Sequence, residues 1–144
     1  MKHKISNQDL EYLRLFERCE IKPETFNHLE HIRIAYILLT KLNVDEALTK
    51  LRDDLLSFLD FIEADKSKYH ETMTYAWLLA VNHFMHTSHP AQSSDEFIDS
   101  NNLLLNKNIM YTHYSYALIE SEEARKNFIQ PDLEPIPRYE SKIC

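Results

Sequence analysis

Asp45-Glu46-Ala47-Leu48-Thr49-Lys50-Leu51-Arg52-Asp53-Asp54-Leu55-Leu56-Ser57-Phe58-Leu59-Asp60-Phe61-Ile62-Glu63-Ala64 decides the fold class. Leu48, Leu51, Leu55, Phe58 or Leu59, and Ile62 recur at three- and four-residue steps, the period of one face of an α-helix. Asp53, Asp54, Ser57 and Asp60 fall on the opposite face and are expected to meet water. A helix with one such stripe needs partners to bury it.

Those partners stand on either side. Before it, Leu29, Ile32, Tyr36 and Leu39 keep helical spacing over residues 23–42, with Pro23 suited to a first turn. Asn43 is placed to close that helix in a left-handed conformation, and Asp45 to help start the next. Earlier still, Ser6 is a natural N-cap with Asp9 three residues on, and Leu10, Leu13 and Phe16 form the stripe of a helix reaching about Cys19. After a polar hinge at residues 65–68, a fourth helix is expected over residues 69–86, burying Met73, Trp77, Ala80 or Val81, and Phe84. Residues 87–94 read as a loop. Shorter helices are expected over residues 95–105, 109–119 and 122–129, the last capped by Ser121. Pro131, Pro135 and Pro137 make residues 131–144 an extended tail lying across the surface. The expected fold is therefore all-α: one domain, an up-down bundle of four main helices with shorter C-terminal helices, core 6–130 and a Pro-rich tail.

Composition supports this class. The 144 residues include no glycine. Gly-rich phosphate loops and dinucleotide fingerprints need a backbone without a Cβ at the phosphate, so nucleotide enzymes of the common folds are excluded. Tight hairpin turns, which favour glycine at positive φ, also lose their usual residue. A hydrophobic share of 44% is too high for a disordered chain. The net charge of -7, with no basic stripe, argues against nucleic acid as a partner. No apolar run reaches the length of a membrane span, and the charged start does not lead into a signal-like segment. Two cysteines, Cys19 and Cys144, make no disulfide framework, so a reducing cytoplasm is the expected location.

Chemistry enters with the histidines. His28 and His31 are three apart on the face that carries Ala35, Leu38 and Leu42, and His70 precedes Met73 and Trp77 on theirs. With short connections the second and fourth helices run parallel, and the three imidazoles converge at one end of the bundle. Three neutral imidazoles with an open position suit a divalent transition metal, Zn or Fe first. In this reading His28, His31 and His70 are the ligands, and Glu71 is a fourth ligand or general base. Arg33 and Thr74 would hold a small polar or anionic molecule. The competing reading makes the histidines hydrogen-bonded polar residues at the bundle's end. His83, His86 and His89 look like a solvated helix end, and His113 with Tyr111, Tyr114 and Tyr116 like an aromatic packing surface.

The motifs F-x-H-x-x-H-x-R over residues 26–33 and Y-H-E-T-x-T over residues 69–74 resemble those of a family of short, uncharacterised bacterial proteins. The resemblance extends to Ser121-Glu122-Glu123-Ala124-Arg125 and to Pro131-Asp132-Leu133-Glu134-Pro135-Ile136-Pro137. It implies roles for His28, His31, Arg33, His70, Glu71, Thr72 and Thr74 without naming an activity, and a structural tie through Arg125 and Asp132. Two functions follow as expectations. One is a metal-dependent enzyme on a helical scaffold; the other is a non-catalytic interaction or dimerisation module that uses residues 111–116.

Overall fold

The computed structural model describes residues 2–139. Among them the chain forms α1 (Asn7–Glu17), α2 (His28–Leu39), α3 (Val44–Phe61), α4 (Glu71–Thr87), α5 (Ser94–Ser100), α6 (Tyr116–Ile119) and α7 (Glu122–Lys126), with no strand. Tight 3-10 turns at Pro23–Thr25, Lys66–Lys68, Asn102–Leu105 and Lys107–Thr112 complete the connections. The expected all-α class is what the chain adopts.

Local chemistry sets the helix starts. Ser6 and Asp9 form a reciprocal capping box at α1, with Asp9 N donating to Ser6 Oγ at 3.0 Å and Ser6 N to Asp9 Oδ2 at 3.1 Å. Asn43 and Glu46 do the same at α3, so Asn43 opens that helix in extended backbone rather than closing α2 in the left-handed region. Proline at residue 23 starts only a 3-10 turn; α2 begins five residues later, capped by Asn27.

Helix ends solve the absence of glycine differently. Cys19 and Glu63 take φ of 58° and 56°, the left-handed geometry that glycine normally supplies after a helix. At α1, Glu20 N donates to Leu15 O at 2.8 Å and Cys19 N to Phe16 O at 3.0 Å; at α3, Ala64 N donates to Leu59 O at 2.9 Å and Glu63 N to Asp60 O at 3.1 Å. Both ends close as Schellman motifs on residues that carry a Cβ.

The core gathers Phe16, Ile32, Tyr36, Leu48, Leu51, Ala76, Leu78, Val81 and Phe97. α4 packs against α2, α3 and α7. Two ties set the level of α3 on α4: Tyr75 Oη donates to Asp45 Oδ1 at 3.0 Å, and Arg52 meets Glu71. Numbers fall along α3 as they rise along α4, so the two run antiparallel. Arg52 is level with the first residue of α4, so the rest of α3, ~14 Å at the usual helical rise, projects past the start of its partner. Leu55, Leu59 and Ile62 of the expected stripe are accordingly half-buried, while Leu48, Leu51 and Phe58 are core.

The tail continues without helix or strand through residue 139, bending at residues 132–134, with Ile136 buried. Leu133 N donates to His113 O at 3.0 Å, and Ser115 N to Asp132 Oδ1 at 2.8 Å. Arg138 lies over Tyr75 at 5.4 Å, and Tyr139 stacks on His86 at 4.0 Å. Residues 140–144, with Cys144, lie outside the described residues.

Exposed Glu63 is the cleaner of the two left-handed positions. Glu63→Gly should raise stability by about 1 kcal/mol, or ~2–4 °C in Tm, by removing the clash between Cβ and the carbonyl. Thermal unfolding of parent and variant measures it; a lower Tm would show that the left-handed turn at this site carries no strain.

Candidate functional site

A groove of about 760 Å³ opens where α3 overhangs the start of α4. Leu51, Leu55, Phe58, Leu59 and Ile62 of α3 form one wall. The opposite wall is Met73, Trp77 and Leu78 of α4, with Phe26 and Ala35 closing the side of α2. His28, His31 and His70 all line it, together with Tyr69, Thr74, Lys68 and Lys107. The expected convergence of three imidazoles in one place is thus present as a groove lining.

Each imidazole is held by a backbone carbonyl. His28 Nε2 donates to Leu104 O at 2.9 Å, and His31 Nδ1 to Asn27 O at 3.0 Å, one turn back on its own helix. Neutral imidazole has one N–H, so these bonds leave Nδ1 of His28 and Nε2 of His31 as bare acceptors. His70 is different. It is the N-cap of α4 rather than a residue of its first turn: Nδ1 accepts from Met73 N at 3.1 Å, and Nε2 donates to Ile119 O at 2.8 Å. Both of its nitrogens are spent on the fold. Glu30, Glu71 and Thr74 play no part in fixing these tautomers.

Burial lowers the basicity of His28, against the Leu104 carbonyl, which favours the charged form; the Lys107 ammonium lowers it further. His31 is shifted the same way, again first by desolvation and against the Asn27 carbonyl, with the charges of His28 and Lys107 adding to the effect. Its ring is exposed to the groove yet enclosed by protein on most sides, as a residue on a concave wall is. Phe26 covers one face of it at 4.3 Å, and Trp77 meets His28 edge-on at 4.6 Å. Trp77 was expected in the core; it is half-buried and forms groove wall instead.

Two expected site residues lie elsewhere. Glu71 faces away from the groove: Arg52 Nε donates to Oε1 at 2.9 Å, Arg52 Nη2 to Oε2 at 2.6 Å, and Tyr69 Oη to Oε1 at 2.7 Å. Burial alone would raise its carboxyl, but these donors outweigh that and hold it below the ordinary value. Arg33 belongs to a separate network behind α2. It donates to Glu30 at 3.0 Å, to Asp95 at 2.7 Å and to Ser94 Oγ at 2.5 Å, and Ser94 in turn donates through N and Oγ to buried Asp9. Thr74 does line the groove, its hydroxyl donating to His70 O at 2.8 Å.

Among the described residues no three His, Cys, Asp or Glu side chains are grouped to hold a metal ion. Lys68 and Lys107 were not singled out in the sequence. No local pattern marks them; only the fold brings Lys107, the first residue of the 3-10 turn Lys107–Thr112, to the groove that holds the histidine pair. In a chain with 23 acidic and 16 basic residues, the groove lining holds both lysines and no carboxylate. Neither lysine is ion-paired among the described residues. Comparison with protein-family models, with curated proteins and with solved structures finds no match in any of the three. No helix among the described residues is long and apolar enough to cross a membrane.

The histidines also set a pH dependence. As pH falls below about 6.5 the unfolded chain takes up protons first, because the fold holds His28 and His31 neutral to lower pH. Their contribution is fully present above that pH and is lost between it and their depressed folded values. Tm followed from about pH 8 to about pH 5 should drop on the acid side, and His31→Gln, which does not titrate, should drop less. Superimposable curves for parent and variant would show that His31 is not held neutral by the fold.

Proposed function

We propose that the protein binds a small molecule with an apolar body and an anionic head in this groove. The observation that carries the reading is the separation of charge: among the described residues, an apolar trough with two lysines outside any ion pair and no carboxylate, in an otherwise acidic protein. Apolar walls with a few convergent polar groups are the usual form of a ligand site, and the volume lies within the range for small organic ligands. Leu55, Leu59, Met73 and Trp77 would take the body, and Lys68 and Lys107 would attract the head.

A second reading retains the metal. Nδ1 of His28 and Nε2 of His31 have no hydrogen-bond partner among the described residues, and the two residues are three positions apart on α2. They supply at most two protein ligands, so a bound Zn or Fe ion would need the small molecule or water to complete its shell. Glu71 as general base does not fit its place in the Arg52 and Tyr69 cluster, so the enzyme reading would rest on the histidines alone.

Trp77 is the sole tryptophan and lines the groove, so its fluorescence reports occupancy. Titration with anilinonaphthalene sulfonate, an apolar anion, should give a saturable quench. Leu55→Glu should weaken it at least tenfold, and Lys107→Glu should weaken it by a smaller factor, both at unchanged helix content. Purification without a tag, elemental analysis and repetition of the titration with chelator separate the two readings. No saturable response, or the same response in Leu55→Glu, overturns the groove as the binding site.

A further inference from the structure

The two free imidazole nitrogens narrow the ligand's chemistry. We infer that the groove takes an apolar acid carrying a hydroxyl close to its carboxylate, the hydroxyl donating to His31 while the carboxylate pairs with Lys107; this rests on the groove being the binding site.

The tautomers carry the argument. Leu104 O and Asn27 O each require an N–H, so in the neutral rings the remaining nitrogens are acceptors only. Desolvation keeps the rings neutral, so they do not offer a second N–H to an anion. A bare carboxylate set against them would bring lone pair to lone pair. Lys107 lines the same groove as the two imidazoles, which puts a cation on the wall that carries both acceptors. An anion beside a hydrogen-bond donor is the complement of that arrangement. His70 adds nothing to the recognition, since Met73 N and Ile119 O occupy both of its nitrogens.

The ring of His31 is the one to test. It faces the groove, and among the described residues its one hydrogen bond is to Asn27, the cap of its own helix, so its removal should leave the fold intact. The probes are a medium-chain fatty acid and its β-hydroxy counterpart, each titrated calorimetrically below its micelle concentration at about pH 7.5 and low salt. The hydroxy acid should bind about tenfold more tightly, the worth of one added hydrogen bond in a site already built for it. His31→Leu should remove most of that preference while leaving affinity for the plain acid within a few-fold. Lys107→Gln should weaken both acids together and keep the preference. Equal affinities of the parent for the two acids would overturn the hydroxy-acid inference and leave the groove standing as a site for apolar anions. Binding of neither acid would overturn the inference together with the groove reading. Should His31→Leu melt well below the parent, His31→Phe, which keeps a ring against Phe26 without an acceptor, makes the same comparison.

Discussion

Everything near the groove depends on the turn that starts α4. Four consecutive side chains, Tyr69, His70, Glu71 and Thr72, each tie that turn to something distant in sequence or to its own neighbour. Glu71 takes a bidentate pair from Arg52 and a hydroxyl from Tyr69. His70 caps the helix and reaches Ile119. Thr72, with no exposed surface, donates to Asn127 O at 2.7 Å and accepts from Ile129 N at 3.1 Å. Hydrogen bonds to charged groups are worth about 1.5–3 kcal/mol, and a buried donor or acceptor left without its partner costs a comparable amount. The turn is thereby tied at once to α3, α6 and the segment that follows α7.

The groove is a consequence of that knot. Because Arg52 meets Glu71 at the first residue of α4, the rest of α3 stands beyond its partner with apolar residues on its inner face. A helix pair docked in full would bury Leu55, Leu59 and Ile62 and leave no trough. The tail then closes the assembly from the other side: Tyr114, fully buried, donates to Ile129 O at 2.7 Å, and His113 donates to Glu134 O at 2.7 Å. Residues 111–116 are thereby divided, with Tyr114 structural and Tyr111 and Tyr116 exposed.

Helix positions could be read from the sequence because they rest on local rules. The stripe of α3 and the caps at Ser6 and Ser121 need only neighbours within one turn, and they stand where the pattern puts them. Asparagine suits both a helix start and the left-handed stop expected at Asn43; the bond with the Glu46 side chain makes it a start. The candidate site was legible in part. His28, His31 and His70 do line one cavity, since helical spacing and short connections bring them there. The carbonyls that hold His28 and His70, at Leu104 and Ile119, are supplied by segments whose path no periodicity announces. Arg33 and Glu71 leave the site for the same reason: Ser94, Asp95 and Arg52, which hold them, come from segments that nearness to a histidine in sequence does not reveal. Arg52 and Asp9, the partners that anchor Glu71 and the Ser94 network, lie 19 and 85 residues away.

The most direct test of the knot is hydrogen–deuterium exchange of Thr72→Val, which keeps the buried volume and removes both bonds of the threonine hydroxyl. If the turn holds the C-terminal half in place, amides of residues 113–119 and 127–136 exchange faster than in the parent, while those of α1 and α2 keep their protection. Unchanged exchange throughout the C-terminal half, or an equal loss of protection across the whole chain, would contradict it.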